Sequence, residues 1–239
     1  DTDRSRGLGD VYKRQVINKD FKYQERQSDH DNYCAGFALA AILSDLNGDG
    51  TICKGEEIYR SLQKYPVTGE WSSILHRLTG CIEGVDGVMT LPGAVVVGTV
   101  ELTKRNVCVF IDDEKLIEAI DQLIHFLLDI GLGRDLDQQL ESVKLHIPEL
   151  IAEQKSIVGA QCIKPWKSIE EVLQESRYAI MLVNGVHWIA VKKTENGYNV
   201  YDPACGVRSA QLNTQYITLI SDRYGDRQYT ISGIIIAVS

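Results

Sequence analysis

The sequence predicts an α+β protein. Apolar residues recur at helical spacing through the first half of the chain, and β-branched and aromatic runs fill the last third. Between two of those runs stands Thr194-Glu195-Asn196-Gly197, whose Asn-Gly pair marks an antiparallel hairpin.

Taken in order, residues 16–33 are polar and read as an extended surface segment. Cys34 to about Ser44 is apolar nearly all round, which predicts a short buried helix, with Asn32 or Asp31 able to cap it. A loop runs from Asp45 to Gly55. Ile58, Tyr59 and Leu62 then predict a helix from Glu56 to Lys64, ended by Pro66. Trp71, Ile74 and Leu75 suit another short helix. Pro92 to Val97 reads two ways: its valines favour a strand, its proline a helix start. Val107 to Ile111 predicts a buried strand. Leu116, Ile120, Leu123, Ile124 and Leu127 predict an amphipathic helix that stops near Gly131. Leu136, Leu140, Val143, Ile147 and Ile151 continue the helical pattern, interrupted at Pro148. Ser168 to Glu175 is a further short helix. Strands follow at Tyr178–Val183, His187–Val191, Tyr198–Tyr201 and Tyr229–Val238.

Composition narrows the function classes. The 239 residues are 44% hydrophobic, enough for one domain with a core. No apolar run approaches the roughly 20 residues of a membrane span, so a soluble protein is expected, cytoplasmic or secreted. The net charge of -8 and the lack of a Lys/Arg cluster argue against nucleic acid as partner. Six cysteines are scattered without zinc-type spacing or a disulfide pattern. Cys81, Cys108 and Cys162 are expected to be small buried hydrophobes.

One constellation carries chemistry. Cys34 stands where a polar loop turns into the first helix, and Ala35-Gly36 leave it uncrowded. A thiol attacks only as thiolate, a form that a helix N-terminus and an imidazole both favour. The imidazole expected is His187. With the hairpin turn centred near Glu195-Asn196, the residue facing His187 falls near position 204, and Asp202 is a diagonal neighbour. Asp202 can therefore orient the imidazole as the third member of a triad. Gln27 is the candidate oxyanion donor, together with the Cys34 N–H, and Gln24 competes for that role. His30, His76, His125 and His146 lack such company.

With Gln27, Tyr33-Cys34-Ala35, Ala40, Ala41, His187-Trp188 and Asp202-Pro203, the chain resembles the papain-like cysteine peptidase superfamily. The pattern is most similar to bacteriocin-leader-type (double-glycine) peptidases and papain-like effector peptidases. Gln27 lies seven residues before Cys34, one more than in the family's type member. The resemblance implies a papain-like fold: a helical lobe, about 30–155, bearing the cysteine helix, packed on an antiparallel sheet lobe, about 160–239, bearing the histidine and aspartate. It implies one peptidase domain over 16–239 and a peptide or protein amide as substrate. Acyl transfer, deamidation or isopeptide cleavage on the same triad is the alternative, as is a non-catalytic calcium-dependent binding module. Ser5 to Gln15 resembles a translated sequencing adapter, so residues 1–15 are expected to be non-native.

A second motif overlaps the end of the cysteine helix. Asp45, Asn47, Asp49, Thr51 and Glu56 occupy the ligand positions of an EF-hand calcium loop, with Gly50 at its sharp turn. They are the expected ligands of a structural Ca2+. No cofactor is expected for catalysis.

Overall fold

The computed structural model describes residues 20–239 except 66, 160–161 and 221–224. The adapter-like segment and the helix stop at Pro66 lie outside the described residues. Four helices come first: α1 (Cys34–Leu46), α2 (Gly55–Leu62), α3 (Glu70–Thr79) and α4 (Pro92–Thr103). The ambiguous stretch at Pro92 is thus helix, with the proline in its first turn, where a missing N–H costs nothing. Strand β1 (Val107–Ile111) leads to α5 (Asp113–Ile130), α6 (Arg134–Leu145) and α7 (Ile147–Val158). Asp112 starts α5 by accepting from the Lys115 N–H, and Gly131 ends it with a positive φ. After β2 (Ile163–Lys164) comes α8 (Ile169–Glu175), begun by a Ser168–Glu171 capping box. The chain closes with β3 (Tyr178–Val183), β4 (His187–Thr194), β5 (Gly197–Asp202), β6 (Gly206–Leu212), β7 (Tyr216–Ile220) and β8 (Arg227–Val238).

The papain-like arrangement of two lobes is corrected by this topology. Strands β3 to β8 pair in sequence, and β8 also pairs with β3, so six antiparallel strands close into a barrel. The fold is α+β with a closed barrel at its centre. Closure rests on β6 and β7, absent from the sequence expectation, and on a partner switch in β8. The first part of β8 pairs with β7, from Leu219↔Arg227 to Tyr216↔Thr230. Its last part pairs on that same edge with β1, from Ile111↔Ile234 to Val107↔Val238. Gly233 lies at the switch with φ +78°, and a Cβ there would stand 2.6 Å from the Asp112 carbonyl oxygen. Glycine is what lets the strand bend and approach α5 so closely.

The alternation of the strands divides the core. Ala179, Met181, Ile189, Val191, Val200, Leu219, Ile231 and Ile235 form one buried cluster with Val172 and Leu173 of α8. Only the barrel lumen can gather alternate residues from so many strands. Trp188, Ala190, Tyr201, Ile234 and Ile236 face outward and join the helices in a second cluster. Helix α1 lies within that second cluster, buried from Cys34 to Ser44. Its small residues allow close neighbours: a Cβ on Gly36 would stand 2.5 Å from the backbone nitrogen of Tyr59 in α2.

Other expectations change too. Among the described residues, from 20 onward, the segment before α1 forms no helix or strand, yet Phe21 and Tyr23 are fully buried and tie it across the barrel. Cys81 is exposed, and Cys108 and Cys162 are only half-buried. Among the described residues, no helix is long and apolar enough to cross a membrane.

Candidate active site

Cys34 is the first residue of α1. Tyr33 occupies the N-cap position, and no side chain caps the helix. Neither expected cap is used. Asn32 turns its amide to the carbonyls of Thr79 and Gly87, and Asp31 accepts from the Ser28 N–H. The first-turn N–H groups, which have no partner within a helix, therefore keep their capacity for an incoming oxygen.

His187 is the first residue of β4, at one rim of the barrel. The hairpin has the register read from the sequence, with Thr194↔Gly197 at its turn and Ala190↔Tyr201 further in. Continuing that register places position 204 opposite His187. The 184–186 connection that delivers the histidine is tight. Asn184 and Gly185 both have positive φ, and a Cβ on Gly185 would stand 2.5 Å from the Ala119 carbonyl oxygen of α5. Gly185 also donates its N–H to Ser232 Oγ at 2.7 Å.

Asp202 ends β5. Its side chain is fully buried, while that of His187 is 17% exposed, and His187 Nε2 lies 2.9 Å from Asp202 Oδ1. Three further donors converge on the carboxylate. The Ala204 N–H reaches Oδ1 at 2.8 Å, and the Cys205 thiol and Tyr229 hydroxyl reach Oδ2 at 2.7 and 2.6 Å. The Tyr229 ring also lies 5.9 Å from that of His187.

The electrostatics follow from these contacts. Burial works against a charged imidazole. Hydrogen bonds to Asp202 and with Cys34, and the charges of both, outweigh it and raise His187 to about 10. Burial likewise opposes a charged Asp202. The bond and charge of His187, with the bonds from Cys205 and Tyr229, hold its carboxyl well below the usual range. Burial and the neighbouring carboxylate push the Cys205 thiol up to about 12, so it serves as a donor.

Cys34 acts on the charge of His187, and its sulfur lies 4.0 Å from the carbonyl oxygen of Val186, the residue before that histidine. With Nε2 committed to Asp202, Nδ1 is the nitrogen left for the thiol. Gln27 joins the two halves of the site. Its N–H donates to the Pro203 carbonyl at 3.0 Å, and its Nε2 makes a long 3.4 Å contact with the Asp31 carbonyl. Its Oε1 is buried without a partner. Gln24 instead turns back to the Phe21 carbonyl.

The calcium-loop residues are not brought together. Asp45 turns into the protein, 2.6 Å from Lys192 Nζ, with both side chains almost fully buried. Asn47 donates its amide to the Thr51 carbonyl, the oxygen expected to bind the ion. Asp49 accepts from the Thr51 N–H, and Glu56 faces solvent beside Arg60. Among the described residues, no group of three His, Cys, Asp or Glu side chains could hold a metal.

Tyr229 and Cys205 are the site residues that sequence reading missed. Cys205 carried a faint signal, since an aspartate three residues before it can fold a turn over its own carboxylate. Tyr229 carried none, because barrel closure alone brings it to Asp202. No protein family, curated protein or solved structure matches the chain.

Proposed function

We propose that this chain is a cysteine hydrolase that cleaves a peptide or protein amide. The observation that carries the reading is the placement of Cys34, on the uncapped first turn of α1, against the carbonyl of Val186, which is next in the chain to an imidazole held by a buried, fully hydrogen-bonded carboxylate. The Cys34 sulfur attacks the carbonyl carbon, and its proton resides on His187. The carbonyl oxygen gains the charge and is met by the Cys34 N–H and one amide hydrogen of Gln27. His187 gives its proton to the departing amine as the C–N bond breaks, leaving a thioester. Water then attacks the thioester, His187 accepts its proton, and the acid leaves as the thiol is restored. Asp202 stays ionised and holds the ring in one orientation.

The test is cleavage of an unbiased peptide library read by mass spectrometry. Products that gain water and vanish in Cys34→Ala support hydrolysis. Products equally abundant in Cys34→Ala contradict it.

A further inference from the structure

We propose that Arg26, Arg208 and Arg227 form a binding pocket for a phosphate group at the mouth of the barrel. This goes beyond the hydrolase reading and does not depend on it. The three arginines line a cavity of about 200 Å3 beside Ala204 and Cys205, and no carboxylate lines it among the described residues. They come from three places: the strap before α1, β6 and the start of β8.

Strand register turns two of them toward the lumen. Arg208 stands opposite Val200, and Arg227 opposite Leu219. Val200 and Leu219 both belong to the apolar cluster inside the barrel. Two cations on the lumen-facing side, Arg208 half-buried and Arg227 exposed, therefore stand at the end of a largely apolar lumen, in a protein of net charge -8. The nearest buried carboxylate, Asp202, is already matched by His187.

Arg208 is half-buried, and Arg26 and Arg227 stand exposed at the rim. Arg26 lies over Gly206, where a Cβ would come within 3.1 Å of its Nε. Arg208 Nη1 donates to the Val207 carbonyl at 2.7 Å. Arg227 lies two residues before Tyr229 on β8, and the Tyr229 hydroxyl donates to Asp202. Planar guanidinium forks gathered around one cavity suit a tetrahedral dianion with several acceptor oxygens better than a single carboxylate. Cys205, which lines the pocket and donates to Asp202, connects it to the candidate active site.

Calorimetric titration of the whole chain with inorganic phosphate at low ionic strength tests the proposal, with chloride as control. The expected result is phosphate binding that weakens at least about tenfold in Arg208→Gln and in Arg26→Gln. Both variants should keep the wild-type melting temperature and the wild-type reactivity of Cys34. A second arm titrates a phosphoserine peptide. Tighter binding than inorganic phosphate, lost in the same variants, assigns the ligand to a phosphorylated peptide; equal binding assigns it to free phosphate. No binding of either probe, or equal affinity in wild type and both variants, overturns the proposal. The readout is binding, so a chain inert as a hydrolase can still pass, and an active hydrolase can still fail.

Discussion

Asp45 Oδ2 lies 2.6 Å from Lys192 Nζ in the interior, and this pair fastens the end of α1 opposite Cys34 to the end of β4 opposite His187. Asp45 and Cys34 stand near the two ends of α1, and Lys192 and His187 near the two ends of β4. The helix rise from Cys34 to Asp45 and the strand rise from His187 to Lys192 are both roughly 16 Å. Helix and strand therefore run side by side with matched lengths, fastened at one end by an ion pair and bringing Cys34 and His187 to the same other end. The ion pair is also satisfied by its surroundings. Lys192 donates to the Asp20 carbonyl at 2.8 Å, and Asp45 Oδ1 accepts from the Lys22 N–H at 2.8 Å.

Removing one partner leaves the other charge buried and alone. Lys192→Met is expected to cost about 3–5 kcal/mol in denaturant unfolding. Asp45→Leu combined with Lys192→Met should recover much of that loss, since a matched apolar pair leaves no orphan charge. Because Asp45 is committed to Lys192, adding calcium in place of a chelator should leave the wild-type melting temperature unchanged.

The turn that delivers His187 makes a separate prediction. Gly185 has φ +72°, and a side chain there meets the backbone of α5. Gly185→Ala should destabilise the protein by about 3 kcal/mol, through backbone strain and displacement of α5. Gly197→Ala at the hairpin turn, where nothing lies within 4 Å of an added Cβ, should cost less. Parallel urea titrations compare the two.

Tyr229→Phe removes one of two donors to Asp202 Oδ2 and leaves Cys205 as the other. A loss of about 1–3 kcal/mol is expected, the range for a buried acceptor that loses a partner. If Tyr229 also orients the carboxylate, alkylation of Cys34 should slow beyond what the stability change explains. Stopped-flow alkylation well below the melting temperature separates the two effects.

The His187–Asp202 pair also predicts a pH window. His187 is raised from 6.5 to about 10 on folding, so its contribution is complete below pH 6.5 and lost as pH rises through about 10. Asp202 is lowered from 3.8, so its contribution is complete above pH 3.8 and lost as pH falls through its depressed value. Stability from the pair should be greatest between about pH 4 and 6.5. Melting curves across pH, compared with Asp202→Asn, should show the largest gap in that interval and a narrowing gap on either side.

Much of the site was legible because its determinants are local. Cys34 at a helix start, the Asn196-Gly197 turn and the register that it sets are properties of short stretches, and the strands keep that register. The barrel was less legible because closure is a property of distant pairings. β6 has mixed burial, and its polar Arg208, Ser209 and Gln211 hide it. β7 carries the alternating Tyr-Ile-Thr-Leu-Ile of a strand, and that signal went unread. The expected calcium loop differs in another way. Its spacing matches an ion cage, yet a buried lysine far along the chain claims its first ligand.

The central claim is that Cys34, His187 and Asp202 act together, and the reactivity of one thiol tests it most directly. The chain is treated with a limiting amount of an electrophilic thiol probe, and labelling at each of the six cysteines is followed by mass spectrometry. The account predicts that Cys34 reacts far faster than the exposed Cys81, although Cys34 is buried. It also predicts that His187→Ala removes this preference and that Asp202→Asn slows it on the order of 10³-fold. Labelling that follows exposure alone, with Cys81 first and Cys34 unaffected by either substitution, would contradict it.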